Sequence, residues 1–205
     1  KDINTQLLIL MCIQQLIERD GKMIQSGWKT IINILSSASI ISETQKSCFG
    51  TITYLTDNLL PILSNHYVDL MSIISSFIHE SPDDLRLAAV PLLSKIASNL
   101  VLKEEMTKDE IEQWLTLFKT LKNASIEDSS MVRGSAHAIL INVLKAAIPQ
   151  KPIIQSNITS EVLTDLLPVT FLGQGEETPD FYKQSAPILT EFYSEVLKPN
   201  WEGYF

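Results

Sequence analysis

Apolar residues recur along this chain at helical, not strand, spacing. Residues 5–18 carry Leu7, Leu8, Leu10, Met11, Leu16 and Ile17 close to a 3.6-residue period, which predicts a first helix. Gly21 follows where a left-handed C′ residue would end it. Ser26 offers a cap for a second helix through about Ser37, with the Gly27-Trp28 pair at its start. A third stretch, about 44–64, holds Phe49, Ile52, Leu55, Leu59 and Leu60, and Pro61 predicts a kink or an early end. A fourth, about 66–79, holds Tyr67, Leu70, Ile73, Ile74, Phe77 and Ile78.

The punctuation farther on is also helical. In "ESPDDLRLAAVPLLSKIASNL", Ser81 reads as an N-cap, Pro82 suits the first turn, and Asp83 and Asp84 suit the positive helix end. Pro91 is a second candidate kink. Thr107 and Glu110 form a capping box ahead of "IEQWLTLFKTLKNAS". "DSSMVRGSAHAILINVLKAAIP" predicts a helix ending at Pro149, and two more are expected over about 159–172 and 180–197. The acidic, Gly-containing "GQGEETP" between those two, at 173–179, is expected to be a mobile loop. No segment alternates apolar and polar between hairpin turns. The expectation is an all-α chain of about nine helices in antiparallel pairs.

The pairs repeat. First helices start near residues 1, 44, 82, 129 and 179, a spacing of about 40–50 that fits the HEAT or armadillo period. "LRLAAVPLL" from Leu85 overlays "VRGSAHAIL" from Val132, matching Arg86 with Arg133, Ala89 with Ala136 and Leu93 with Leu140. "DSSMVR" has the Asp-x-x-x-Val-Arg spacing of a HEAT first helix. These are structural repeat residues in this reading: Asp128 caps a helix, Arg86 and Arg133 pair with a carboxylate of an adjacent repeat, and Ala136 allows close helix approach. Residues 1–205 are expected to form one HEAT/armadillo-like α-solenoid segment of four to five helix pairs, part of a longer protein.

Composition narrows the function. The net charge is −8. Up to Ile154 there are 14 basic and 16 acidic residues, and from Gln155 there are 2 and 8, so the acidity sits in the C-terminal quarter. A nucleic-acid partner would call for a basic face, and none is evident. Cys12 and Cys48, in apolar helical contexts, read as buried thiols in a reducing compartment. No apolar run approaches the roughly 20 residues of a membrane span.

Candidate chemistry is thin. His66, His79 and His137 lie on separate helices without a second ligand at i+3 or i+4, so no zinc set forms. Gly173-Gln-Gly175 lacks the Lys of a phosphate loop. The pairs Asp83-Asp84 and Glu104-Glu105 sit at helix ends, where capping and solvation account for them. Ser81-Pro82 has the form of a proline-directed phosphosite, with the N-cap reading preferred. No nucleophile, base and orienting group converge, so catalytic, metal and cofactor residues are none. Trp28 reads chiefly as a plug between helices. Trp28, Lys29 and Trp114 are the candidate partner-binding residues, since the inner faces of solenoids bind ligands.

Three segments carry a family resemblance. "SGWKTIINILSSAS" resembles the Ser-Gly-Trp segment downstream of the exchange domain in large Arf guanine-nucleotide-exchange factors of the Golgi. "CFGTITYLTDNLLPIL" is similar to that family's next block through Phe49, Leu55, Asp57, Leu59 and Leu60. "WLTLFKTLKNASIEDSSMVRGSAHAIL" matches at Trp114, Leu115, Phe118, Leu121, Asp128, Val132, Arg133, Ala136 and Leu140. The resemblance runs from about residue 7 to 145 and is strongest to the Mon-two scaffold branch. Two departures stand out: Ser94 and Ser98 replace a Trp and an Asp, and Ser129-Ser130-Met131 lack an Arg. The resemblance implies a cytoplasmic protein peripheral on Golgi and endosomal membranes. It implies a Dopey-type scaffold and an Arf-like GTPase as partners, and it is compatible with homo-oligomers. It implies no activity for this segment, because the catalytic Glu of the exchange factors lies in another domain.

Overall fold

The computed structural model describes residues 2–100 and 105–147, together with Pro187, Thr190, Glu191 and Ser194. The expected helices over 159–172 and 180–197 and the loop at 173–179 lie outside the described residues, as does Glu104. Seven α-helices form among the described residues, with no strand: α1 (Ile3–Asp20), α2 (Trp28–Ser39), α3 (Ser42–Asn58), α4 (Tyr67–Glu80), α5 (Asp83–Ala97), α6 (Lys108–Ala124) and α7 (Ser130–Ala147). The chain divides into two compact units, Lys1–Asn99 and Leu100–Phe205.

In the first unit, α1 packs on α3 and α3 on α5, while α2 packs on α4; sequential helices also pack, most extensively α4 with α5. Leu35, Ile52, Leu55, Leu70, Ile74, Phe77 and Leu93 fill the core. Phe49 meets Phe77 edge to face at 5.1 Å between ring centroids, the favoured geometry for aromatic pairs. Gln45 ties two helix ends together. Its buried carboxamide donates to the carbonyls of Ser39 (3.0 Å) and Glu80 (3.5 Å), the last residues of α2 and α4. Such terminal carbonyls have no partner within their own helix.

The two prolines expected to interrupt helices behave differently. Helix α3 ends at Asn58, and Pro61 falls in a 3-10 helix, Leu60–His66, so the early end is realised. Pro91 stays inside α5.

Three local expectations need correcting. Gly21 is not left-handed (φ −51°) and opens a short 3-10 helix, Gly21–Met23. It is small for a different reason: a Cβ there would lie 2.7 Å from Leu59 Cδ1. Ser26 does not cap α2. The cap position is Gly27 at φ 96°, a conformation that glycine adopts without the Cβ penalty. Ser81 does not cap α5 either. Pro82 holds that position, and the Ser81 hydroxyl is buried without a hydrogen-bond partner.

In the second unit, α6 and α7 pack as a pair. The capping box forms as expected: Thr107 Oγ1 accepts from the Glu110 amide (3.3 Å), and Glu110 Oε2 accepts from the Thr107 amide (2.8 Å). Leu117, Phe118, Leu121, Val132, Ala136 and Leu140 are buried. No helix of the described residues is long and apolar enough to cross a membrane.

Candidate partner surface

The two repeat arginines both bond to backbone carbonyls. Arg86 Nε donates to the Ile78 carbonyl at 2.9 Å, and its Nη1 lies 3.4 Å from Asp83 Oδ1. Ile78 is in the last turn of α4, where a cation also opposes the negative helix end. Arg133 Nη1 donates to the carbonyls of Glu127 (2.7 Å) and Asp128 (2.9 Å), in the turn between α6 and α7. The expected partner of Arg133, a carboxylate of a neighbouring repeat, is replaced by these backbone carbonyls. The first helical bond of α7 runs from the Arg133 amide to the Ser129 carbonyl at 3.0 Å, so Asp128 stands before the cap position. Ala89 and Ala136 are both fully buried, as small residues between close helices should be.

The three partner candidates separate by exposure. Trp28 and Trp114 are each 5% exposed. Trp28 turns its indole N–H onto the Ile24 carbonyl (3.2 Å), closing the bend before α2. Trp114 packs against Phe118 at 5.9 Å. Lys29 is the exposed member, its side chain 63% accessible. Its ammonium contacts both carboxylate oxygens of Asp69 (3.0 and 2.9 Å), and His66 Nδ1 lies 3.5 Å from the same carboxylate. Asp69 was not singled out by sequence reasoning, and nothing short of the packing of α2 on α4 brings it to Lys29.

The thiols also divide. Cys48 is buried, with its Sγ 3.2 Å from the Leu35 carbonyl, and burial pushes its pKa up to about 12. Cys12 is exposed, which corrects the expectation of two buried thiols. His137 is buried on α7. Desolvation, and then the Arg133 charge, lower its pKa to about 4. Among the described residues no group of three or more His, Cys, Asp or Glu is arranged to hold a metal ion.

A concavity is formed in the first unit. It measures about 100 Å³, and its walls are mainly apolar, with Ile9 and Leu10 of α1, Ile34 and Ala38 of α2, and Ile41. Gln6 also lines it, with its Oε1 buried and without a hydrogen-bond partner.

Among the described residues these features define an all-α array of packed helix pairs whose charged repeat residues fasten its own turns. Residues 1–54 match the Sec7-like HDS family model, described as Mon2/Sec7/BIG1-like, HDS. The chain is also 27% identical over 158 residues to the ADP-ribosylation factor guanine nucleotide-exchange factor sec71 of Schizosaccharomyces pombe. By these matches the chain is similar, over its N-terminal quarter and more weakly over most of its length, to large Arf exchange factors and their Mon2-like relatives. The alignment covers 70% of this chain and 9% of that relative, so the chain spans about a tenth of the relative's length. No solved structure matches.

Proposed function

We propose that this chain is a non-catalytic scaffold segment of a longer trafficking protein that works at Golgi and endosomal membranes from the cytoplasm. Its helix pairs stack as a HEAT/armadillo-type solenoid, and its surface binds protein partners, an Arf-like GTPase and a Dopey-type scaffold among them. One observation carries the reading: the residues matching an HDS model, a region distinct from the exchange domain, are α1, α2 and most of α3 of a stacked helix array. Arg86 and Arg133 support it, since the most motif-like charges serve turns of the fold. The exposed Lys29, with Asp69 and His66 beside it, is the charged cluster we assign to partner contact.

A second reading is favoured by the yeast relative, itself an exchange factor. In it the segment regulates an exchange domain carried elsewhere on the same polypeptide, by binding a GTPase or a membrane lipid. A fluorescent-nucleotide release assay on Arf and Arf-like GTPases, with a known exchange domain as positive control, tests the non-catalytic part. The expected outcome is no acceleration, even for a GTPase the chain retains on beads. Acceleration of about tenfold, equivalent to about 1.4 kcal/mol of barrier, would overturn it.

A further inference from the structure

Helix α1 carries no charge from Ile3 to Ile17. Its inner face buries Leu10, Ile13 and Ile17. On the other side Leu8, Ile9, Met11 and Leu16 are 40–61% exposed, and Cys12 is exposed beside them. At about 100° per residue these five positions sweep an arc of about 160°. Exposed Asn4, Thr5 and Gln15 share that arc, so the outer face is uncharged but mixed, and its exposed apolar residues are of the kind that mark a contact site. Among the described helices, α3 packs on both α1 and α5, whereas α1 packs on α3 and less extensively on α2.

The groove at the edge of this face adds an independent sign. Gln6 Oε1 is buried there with no hydrogen-bond partner. The nearby hydroxyls do not serve it, since Ser37 donates to the Asn33 carbonyl and Thr44 to those of Ala38 and Ile41. A buried acceptor without a partner needs an account, and an occupant of the cleft that shifts the Gln6 side chain supplies the missing donor. A dry cavity of about 150 Å³ holds benzene, so one of about 100 Å³ suits a branched aliphatic side chain.

We infer that the outer face of α1 seats a further helix of the same longer polypeptide. That helix presents an uncharged Leu- and Ile-type face, puts one aliphatic side chain into the groove and directs a donor to Gln6. Over Ile3–Ile17 a charged contact face has nothing to pair with, since the charges of α1, Glu18, Arg19 and Asp20, are confined to its last turn. The inference rests on the reading of this chain as a segment of a longer protein; the relative's length and the continuing α1–α3–α5 packing support it.

The test is thiol labelling at Cys12, followed by mass spectrometry, in the 205-residue chain and in the full-length protein purified from its source. Cys48, buried in the core, is the internal control. Cys12 should label freely in the short chain and at least about tenfold more slowly in the full-length protein, where labelling awaits local opening. Leu16→Asp should leave amide exchange of α1 unchanged in the short chain and raise it at least about tenfold in the full-length protein. Equal Cys12 reactivity in the two would overturn the inference while leaving the segment reading intact. Concentration-dependent protection in the short chain, with a dimeric mass, would overturn it in favour of a second copy. A native polypeptide no longer than this chain would defeat the segment reading itself.

Discussion

Arg86→Ala tests whether the repeat arginine fastens the fold. Its Nε reaches a backbone carbonyl in the last turn of α4, and its side chain is only 11% exposed. Removing a charge-assisted donor from such a carbonyl costs about 1.5–3 kcal/mol. Losing a cation at a helix C-terminus adds about 0.3–1 kcal/mol. The Asp83 contact contributes near zero: it is 3.4 Å long, Asp83 is 86% exposed, and such pairs are worth about 0–1 kcal/mol. The expected cost is therefore about 2–4 kcal/mol. It should appear in urea unfolding followed by circular dichroism. It should also appear as faster amide exchange in peptides from α4 and α5, which isolates the first unit. Two controls separate the causes. Asp83→Asn should stay within about 0.5 kcal/mol of the parent, as for an exposed pair. Arg86→Met keeps the apolar stem but not the donors, and should recover less than half of the loss. A cost for Arg86→Ala below about 0.5 kcal/mol, or full recovery by Met, would refute the hydrogen-bond argument.

Two glycines should respond with opposite signs. Gly27→Ala forces an alanine to φ 96° with open space around its Cβ, so backbone strain alone should destabilise by about 1–2 kcal/mol. Gly50→Ala, in the body of α3 with equal space, should stabilise by about 0.5–1 kcal/mol; thermal melts check both. His137 gives a pH dependence. Its folded pKa is about 4 against an ordinary value of 6.5, so the unfolded chain binds the extra proton between those values. Stability should fall as pH drops from about 6.5 to about 4, by about 3 kcal/mol at most, and His137→Gln should flatten that part of the urea-midpoint profile.

Helix existence was legible because periodicity reports burial directly, and the seven helices found all sit on apolar-periodic stretches. Caps were less legible. A serine one or two positions before a helix looks like a cap from sequence, yet Gly27 and Pro82 take that role through backbone geometry, which composition does not disclose. The capping box was legible because it names two side chains at fixed spacing. Cys12 was misplaced for a physical reason: α1 carries large apolar residues on both sides, so its sequence does not say which side turns inward. At the candidate surface, Lys29 was legible as a residue but not as half of a pair, because Asp69 is forty residues away. Gln6 and its groove gave no signal at all, since an unsatisfied carboxamide is a property of packing.

The offset of 47 residues that overlays Arg86 on Arg133 now has a physical content. Both guanidinium groups reach back past the start of their own helix to carbonyls of the preceding turn or helix end. Both helices bury a fully enclosed alanine three residues later, Ala89 and Ala136. The repeat is thus a device for holding one helix end against the next: a long cation ties the turn, and a small residue allows close packing. A charge committed to backbone carbonyls has few donors left for a ligand, so recognition has to use the remaining exterior. In the first unit that exterior offers two features of different character, the charged Lys29–Asp69–His66 cluster and the uncharged outer face of α1. The first suits a polar, exchangeable contact that salt would weaken. The second suits a contact that excludes water and persists, which is why we assign the cluster to a partner and the face to the polypeptide itself.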